Sequence, residues 1–236
     1  MTTIFIISAP SGSGKSTLVT EIRRILPDLT FSISYTTRKP RGSEKDGREY
    51  HFISREQFEA MRDRGEFLEW ADVFGNYYGT PRCYVDDAKK AGHDLLLDID
   101  VQGAAQIKKK LPEAVSIFVL PPSRMELERR LHRRSEAEGF VNPGVLEKRL
   151  ATARREIEKY SEYDYILIND RLEESIDLLK AIVLSERAQR SGIPLSDQQL
   201  SMQKSAGRCL LNNEQGRVQQ VLATFKQDSA SAPGAQ

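Results

Sequence analysis

Ile4-Phe5-Ile6-Ile7-Ser8-Ala9-Pro10-Ser11-Gly12-Ser13-Gly14-Lys15-Ser16-Thr17 is the stretch on which the fold turns. Four apolar residues run without a break into a glycine- and serine-rich turn, and a helical pattern follows. A buried strand, a Gly-rich loop, Gly-Lys-Ser-Thr and a helix, in that order, read as a phosphate-binding loop of the Walker A type. Ala9 stands where the pattern has its first glycine, and alanine fits wherever φ is negative. Gly12 and Gly14 let the backbone curl so that its N–H groups face a phosphate. The helix opening near Lys15 aims its unpaired N–H groups and the positive end of its dipole at the same place. Lys15 then reaches the β/γ-phosphates as a point charge, and the Ser16 hydroxyl is a ligand for Mg²⁺. The loop alone specifies a nucleoside triphosphate; it does not say what is done with it.

Outward from the loop, short apolar runs alternate with longer charged stretches. Ile4–Ser8, Phe31–Ser34, Asp94–Ile99, Val115–Leu120 and Tyr165–Ile168 read as strands buried on both faces, which suits a parallel sheet. Helix signals lie between them. Thr80-Pro81 reads as an N-cap with proline in the first turn, and Gly92 as the end of that helix. Ser54-Arg55-Glu56-Gln57 and Ser123-Arg124-Met125-Glu126 both fit a capping box. The alternation predicts an α/β fold, a parallel P-loop sheet with flanking helices. Two segments interrupt it. Tyr35 to Gly79 reads as an inserted α+β subdomain with strands at Tyr50–Ile53, Phe67–Val73 and Tyr77–Gly79. Arg133 to Gly144, charged and holding Gly139, Pro143 and Gly144 between two helices, reads as a mobile helical lid.

Composition narrows the class. The 236 residues carry 35 Lys plus Arg and 34 Asp plus Glu, a net charge of +1, so a protein that coats nucleic acid is excluded. Cys83 and Cys209 are too few for a disulfide framework, and no CxxC pair suggests zinc. His51, His93 and His132 lack metal-ligand spacing and read as surface or packing residues. No apolar run approaches the ~20 residues that span a bilayer, and the N-terminus has no basic region ahead of its short apolar stretch. The expectation is a soluble protein of the reducing cytoplasm, with no nucleic-acid or membrane partner, either a monomer or a homo-oligomer. From about Arg190 the chain turns Gln- and Ser-rich and ends in Ser-Ala-Ser-Ala-Pro-Gly-Ala-Gln, which predicts a partly disordered extension over 190–236. Within it Val218, Val221, Leu222 and Phe225 recur at helical spacing. They mark a short amphipathic helix, either docked or loose.

A second segment decides the reaction. In Ser34-Tyr35-Thr36-Thr37-Arg38-Lys39-Pro40-Arg41-Gly42-Ser43-Glu44-Lys45-Asp46-Gly47-Arg48-Glu49-Tyr50-His51-Phe52, Arg38 and Arg41 flank Pro40 three residues apart. Two guanidinium forks directed at one spot suit a phosphate dianion. Tyr50 and Tyr78 can add hydroxyls to it, and Glu44 can hold an arginine in place. A solvated charged loop is the competing reading of the same residues.

The run Thr36-Thr37-Arg38-x-x-Arg41-x-x-Glu44-x-x-Gly47-x-x-Tyr50-x-Phe52 resembles the signature of the guanylate kinases. So do the phosphate loop, Phe67-Leu68-Glu69-Trp70, Val73-Phe74-Gly75-Asn76-Tyr77-Tyr78-Gly79-Thr80, Asp98-Ile99-Asp100-Val101-Gln102-Gly103 and Ile168-Asn169-Asp170, in order and spacing, over roughly residues 2 to 187. The resemblance implies a kinase domain over 2–189. Its core would be 2–33 and 81–189, its GMP-binding subdomain 34–80 and its lid about 130–149. It implies transfer of the γ-phosphoryl group of ATP, carried with Mg²⁺, to GMP and also dGMP. ATP would lie on Ala9, Pro10, Ser11, Gly12, Ser13, Gly14, Lys15, Ser16 and Thr17, with Asn169 near its adenine. GMP would lie on Ser34, Arg38, Arg41, Glu44, Tyr50, Glu69, Tyr78, Thr80 and Asp100, the guanine read by Ser34 and Glu69. Asp98 would act on Mg²⁺ with Ser16, directly or through water. Lys15, Asp98, Arg134 and Arg149 would be the catalytic group. The family's Arg-Gly-Arg-Gly-like lid turn is replaced here by Arg130-Leu131-His132-Arg133-Arg134-Ser135. The sequence does not choose among the arginines at 130, 133 and 134. Other small-molecule kinases and kinase-like scaffold modules share the fold; Ser34 with Glu69 argues against the first, and the intact Gly14-Lys15-Ser16 against the second.

Overall fold

The computed structural model describes residues 2–42, 44–73, 75–137 and 143–226. Ser43, Phe74, the middle of the expected lid including Gly139, and the terminal Ser-Ala-rich run lie outside them. Five parallel strands form the main sheet: β1 (Ile4–Ser8), β2 (Leu29–Phe31), β7 (Asp94–Asp98), β8 (Val115–Leu120) and β9 (Tyr165–Ile168), in the order β2-β7-β1-β8-β9. Alternation along these strands feeds two cores. Ile4, Ile6, Leu95, Leu97, Phe118, Leu120 and Ile166 face one layer of helices. That layer holds α3 (Cys83–Ala91), α4 (Val101–Lys110), α5 (Arg124–Ala137) and α6 (Pro143–Ile157). Phe5, Ile7, Leu96, Ile117, Val119 and Leu167 face α1 (Lys15–Ile25) and α7 (Leu172–Ser191) on the other side. Burial on both faces is why these strands are continuously apolar.

The inserted subdomain is a second sheet, β4 (His51–Phe52), β3 (Tyr35–Thr36), β6 (Asn76–Pro81) and β5 (Phe67–Val73) in that order, with α2 (Arg55–Asp63) against it. The expected capping box at Ser54 forms and starts α2. The sheet is tied to the core by a matched ladder. Gln102 and Gln106 of α4 donate to the carbonyls of Asp72 and Trp70 at 3.5 and 2.7 Å, and Lys110 donates to that of Leu68 at 2.5 Å. Four residues of helix advance ~6.0 Å and two of strand ~6.6 Å, so every fourth residue of α4 meets every second carbonyl of β5.

Several expectations shift. Thr80 and Pro81 lie in β6, and α3 starts at Cys83. Thr80 is paired across the sheet with Glu69, so strand pairing overrides its local preference for a cap. Gly92 does close α3, at φ 69°. The second strand is Leu29–Phe31 rather than Phe31–Ser34, set by its parallel register with β7. At Ser123 only half of the capping box forms: Ser123 Oγ accepts the Glu126 N–H, while the Glu126 carboxylate turns to Arg129 and Arg130 at 2.7 Å.

The segment after residue 190 is not a loose tail over its described length. α8 (Asp197–Gly207) packs on the α1–α7 side through Ala206, with Cys209 just beyond its end in the same cluster. The chain then rounds the β9 edge, where Ile166 N–H donates to Cys209 O at 2.7 Å and Leu211 N–H to Asp164 O at 3.1 Å. α9 (Gln215–Lys226) ends on the opposite face with Val218, Val221 and Phe225 in the core. The amphipathic spacing is that of a docked helix.

Candidate active site

The phosphate loop joins β1 to α1. Gly12 and Gly14 adopt φ of 92° and 88°, the left-handed conformation that glycine favours. A side chain on Gly14 would also collide with the Asn169 amide, which donates to Ser13 O at 2.7 Å. Lys15, the first residue of α1, crosses the loop to an ion pair with Asp98 at the end of β7 and donates to Ile99 O at 3.0 Å. Ser16 and Thr17 are exposed on the first turn. Thus Lys15, Asp98, Asn169 and the loop come together. Asn169 braces the loop itself through Ser13.

In the subdomain Arg38 is buried. Its Nη1 and Nη2 donate to the two Glu44 oxygens at 2.9 and 3.1 Å, and its Nε donates to Tyr78 Oη at 3.0 Å. Glu44 also accepts the Arg41 backbone N–H at 2.8 Å, while the Arg41 side chain is exposed. The Tyr50 and Tyr78 rings meet edge to face at 5.6 Å. Burial raises the Tyr50 pKa above its ordinary value, and the Asp98 carboxylate adds to the rise.

Glu69 is the second buried centre. A register shift between Phe67 and Glu69 sets it opposite Thr80, an irregularity that re-aims a side chain in the manner of a β-bulge. Thr80 Oγ1 donates to Glu69 Oε1 at 2.5 Å, and Ser34 Oγ lies 3.5 Å from Thr80 Oγ1. The other carboxylate oxygen faces Gly103, where a Cβ would collide with it. Burial pushes the Glu69 carboxyl up to about 7; the Thr80 hydroxyl opposes this and the Asp100 carboxylate adds to it. Asp100 itself caps α4, accepting the Gln102 and Gly103 N–H groups at 2.6 and 2.9 Å.

On α5, Arg130 reaches the loop. It donates to Ser13 O at 3.2 Å and Asn169 O at 3.1 Å, and is held from behind by Glu126 at 2.7 Å. Arg134 stands exposed one turn further along α5, and Arg149 of α6 donates to Ser135 Oγ at 3.2 Å, joining the two helices. Sequence reasoning named Arg130 without choosing it, and it missed Glu126 and Glu156. Glu156, on α6, carries a carboxyl pushed up to about 7 by burial and by Asp100, against the pull of Lys15 and the Ser11 backbone. Its spacing matches no motif.

A parallel sheet with a phosphate loop, an opposing acid and a facing phosphate-sized arginine–tyrosine cluster defines a P-loop kinase of nucleoside monophosphates. The guanylate kinase family model matches residues 1–186. A guanylate kinase of Koribacter versatilis is 55% identical over 231 residues, 98% of this chain and 99% of its own. One from Desulfitobacterium hafniense is 48% identical over 184 residues, 78% and 90% of the two chains. The crystal structure of guanylate kinase from Anaplasma phagocytophilum superposes with a TM-score of 0.64 at 35% identity, covering 78% of this chain and 86% of that one. The chain belongs to the guanylate kinase family.

Proposed function

We propose the following division of labour for phosphoryl transfer from ATP to GMP by this guanylate kinase. The buried Glu69–Thr80–Ser34 chain carries the assignment. Guanine presents N1–H and N2–H₂, two donors for one carboxylate, and an O6 acceptor for a hydroxyl. Adenine presents a lone pair at N1, which would face the Glu69 carboxylate without a donor, a mismatch worth up to ~10⁴-fold in discrimination.

Arg38, oriented by Glu44 and joined to Tyr78, holds the GMP phosphate with Tyr50, and Arg41 closes on it from the exposed side. The residues of the loop, Lys15 and Asn169 hold ATP. A phosphate monoester is largely dianionic at pH 7, so the attacking oxygen needs no general base. It attacks the γ-phosphorus, the bond to the β-phosphate oxygen breaks, and ADP leaves. The protein supplies alignment and positive charge. Arg130 adds charge behind the loop; Arg134 and Arg149 supply it from the lid helices.

Ser16 and Asp98 fit Mg²⁺: both offer hard oxygen donors, and one carboxylate suffices for an ion whose other ligands are substrate phosphates and water. When bound, the ion screens the phosphate charge that Lys15 and the loop N–H groups also face. Among the described residues no helix is long and apolar enough to cross a membrane. The free thiols of Cys83 and Cys209 suit a reducing cytoplasm.

ADP formation measured with ATP-Mg²⁺ and each of GMP, dGMP, AMP, CMP and UMP tests this reading. Turnover with GMP and dGMP alone is expected; equal turnover with AMP would refute the base pocket.

A further inference from the structure

The family match ends at residue 186, yet the Koribacter relative aligns over 98% of this chain. The helix α9 of this added segment touches the catalytic half of the molecule at the start of α5, besides a contact of Gln219 with Tyr160 Oη at 3.3 Å. A helix begins with N–H groups that have no intrahelical partner. At the start of α5, Ser123 Oγ accepts the Glu126 N–H at 3.2 Å, and Thr224 Oγ1, 100 residues on, accepts the Arg124 N–H at 3.0 Å. The Thr224 hydroxyl donates its own proton to Val221 O at 2.6 Å, so its lone pairs are left for α5. Val218, Val221 and Phe225 pack in the same cluster as Leu127 and Leu131 of α5.

From there α5 leads directly to the phosphate loop. Leu127 and Leu131 lie so close to Gly12 that a Cβ there would stand 3.0 Å from each. Arg130, between them, donates to Ser13 O and Asn169 O. Three elements are thus in serial contact: α9 on the start of α5, and α5 on both glycine-flanked sides of Ser13.

We propose that Thr224 is a positioning residue for the ATP site, fixing the start of α5 and through it the contacts of Leu127, Leu131 and Arg130 with the phosphate loop. The inference rests on the assignment of ATP to that loop. The GMP pocket, built on the second sheet and α4, shares the packed cluster through Leu68 and Ala104 but none of the hydrogen bonds that join α9, α5 and the phosphate loop.

The test is steady-state kinetics on the full chain. Thr224→Val keeps the shape and removes the acceptor. It should raise KM for ATP about fivefold, the size of a typical lost helix cap, and leave KM for GMP unchanged. Thr224→Ser, which keeps the hydroxyl, should restore the native value. If Thr224→Val does not fold, Val221→Ala thins the same contact and should give the same split. Unchanged kinetics with only a lowered Tm, or an equal rise in both KM values, would overturn the proposal. Lys15→Ala separates the premise: if it left ATP binding intact, the assignment of ATP to the loop would fail rather than the role of Thr224.

Discussion

The Lys15 ammonium is ion-paired with the Asp98 carboxylate across the phosphate loop and also donates to the Ile99 carbonyl at 3.0 Å. The end of β7 thus holds the cation at the mouth of the loop. Both side chains are mostly buried, at 19% and 20% exposure, so removal of either strands the other charge. Lys15→Ala should lower kcat by ~10²–10³-fold, the usual loss of one charge-stabilising group. Lys15→Arg should not rescue it, because a planar fork cannot replace a compact ammonium. Single-turnover rates with saturating GMP would show this, and a native-like rate in Lys15→Ala would exclude the role.

The guanine contact proposed for Glu69 makes GMP binding proton-linked. Burial raises its carboxyl to about 7 in the folded protein, against ~4.3 in an unfolded chain. The folded state then holds a proton that the unfolded state has released, so stability from this group is greatest at low pH. It declines as pH rises from about 4.3 through 7, by on the order of 4 kcal/mol. Guanine's two donors require the ionised form. GMP binding at pH 6 should therefore expel about one proton, and affinity should rise with pH through 7. Calorimetry in two buffers of different ionisation enthalpy, native minus Glu69→Gln, cancels the titration of the GMP phosphate; a zero difference would contradict the linkage.

Gly103 offers a change in which stability and binding move apart. Alanine is the better helix former by ~1 kcal/mol, yet its Cβ would displace the Glu69 carboxylate. Gly103→Ala should raise KM for GMP at least about tenfold without lowering Tm by the amount of a core defect, since a buried acceptor loses its partner's geometry. Thermal melts beside GMP titrations would read both.

The α4–β5 ladder predicts a graded effect. Gln106→Ala removes the bond to Trp70 O, next to Glu69 in β5. KM for GMP should rise about threefold, as for one net hydrogen bond, with KM for ATP unmoved. An equal rise for both substrates would show that the ladder serves stability alone.

Much of this was legible in the chain because local physics carried it. The Ile4–Ser8 strand, the left-handed glycines at 12 and 14, and the Ser54 capping box each depend on neighbours in sequence. What escaped depends on distant partners. Thr80 has the chemistry of a cap, but a register shift hands its hydroxyl to Glu69. The arginines at 130, 133 and 134 are alike in sequence, and only the approach of α5 to Ser13 distinguishes Arg130. Val218, Val221 and Phe225 showed a helix face without showing what covers it, which includes α5.

Glu69 is the residue proposed to read guanine. The most direct test is the ratio of kcat/KM for GMP over AMP in the native chain and in Glu69→Gln. The native ratio should approach ~10⁴ and fall by at least about tenfold in the variant, through loss of GMP rather than gain of AMP alone. A ratio unchanged by the substitution would contradict it.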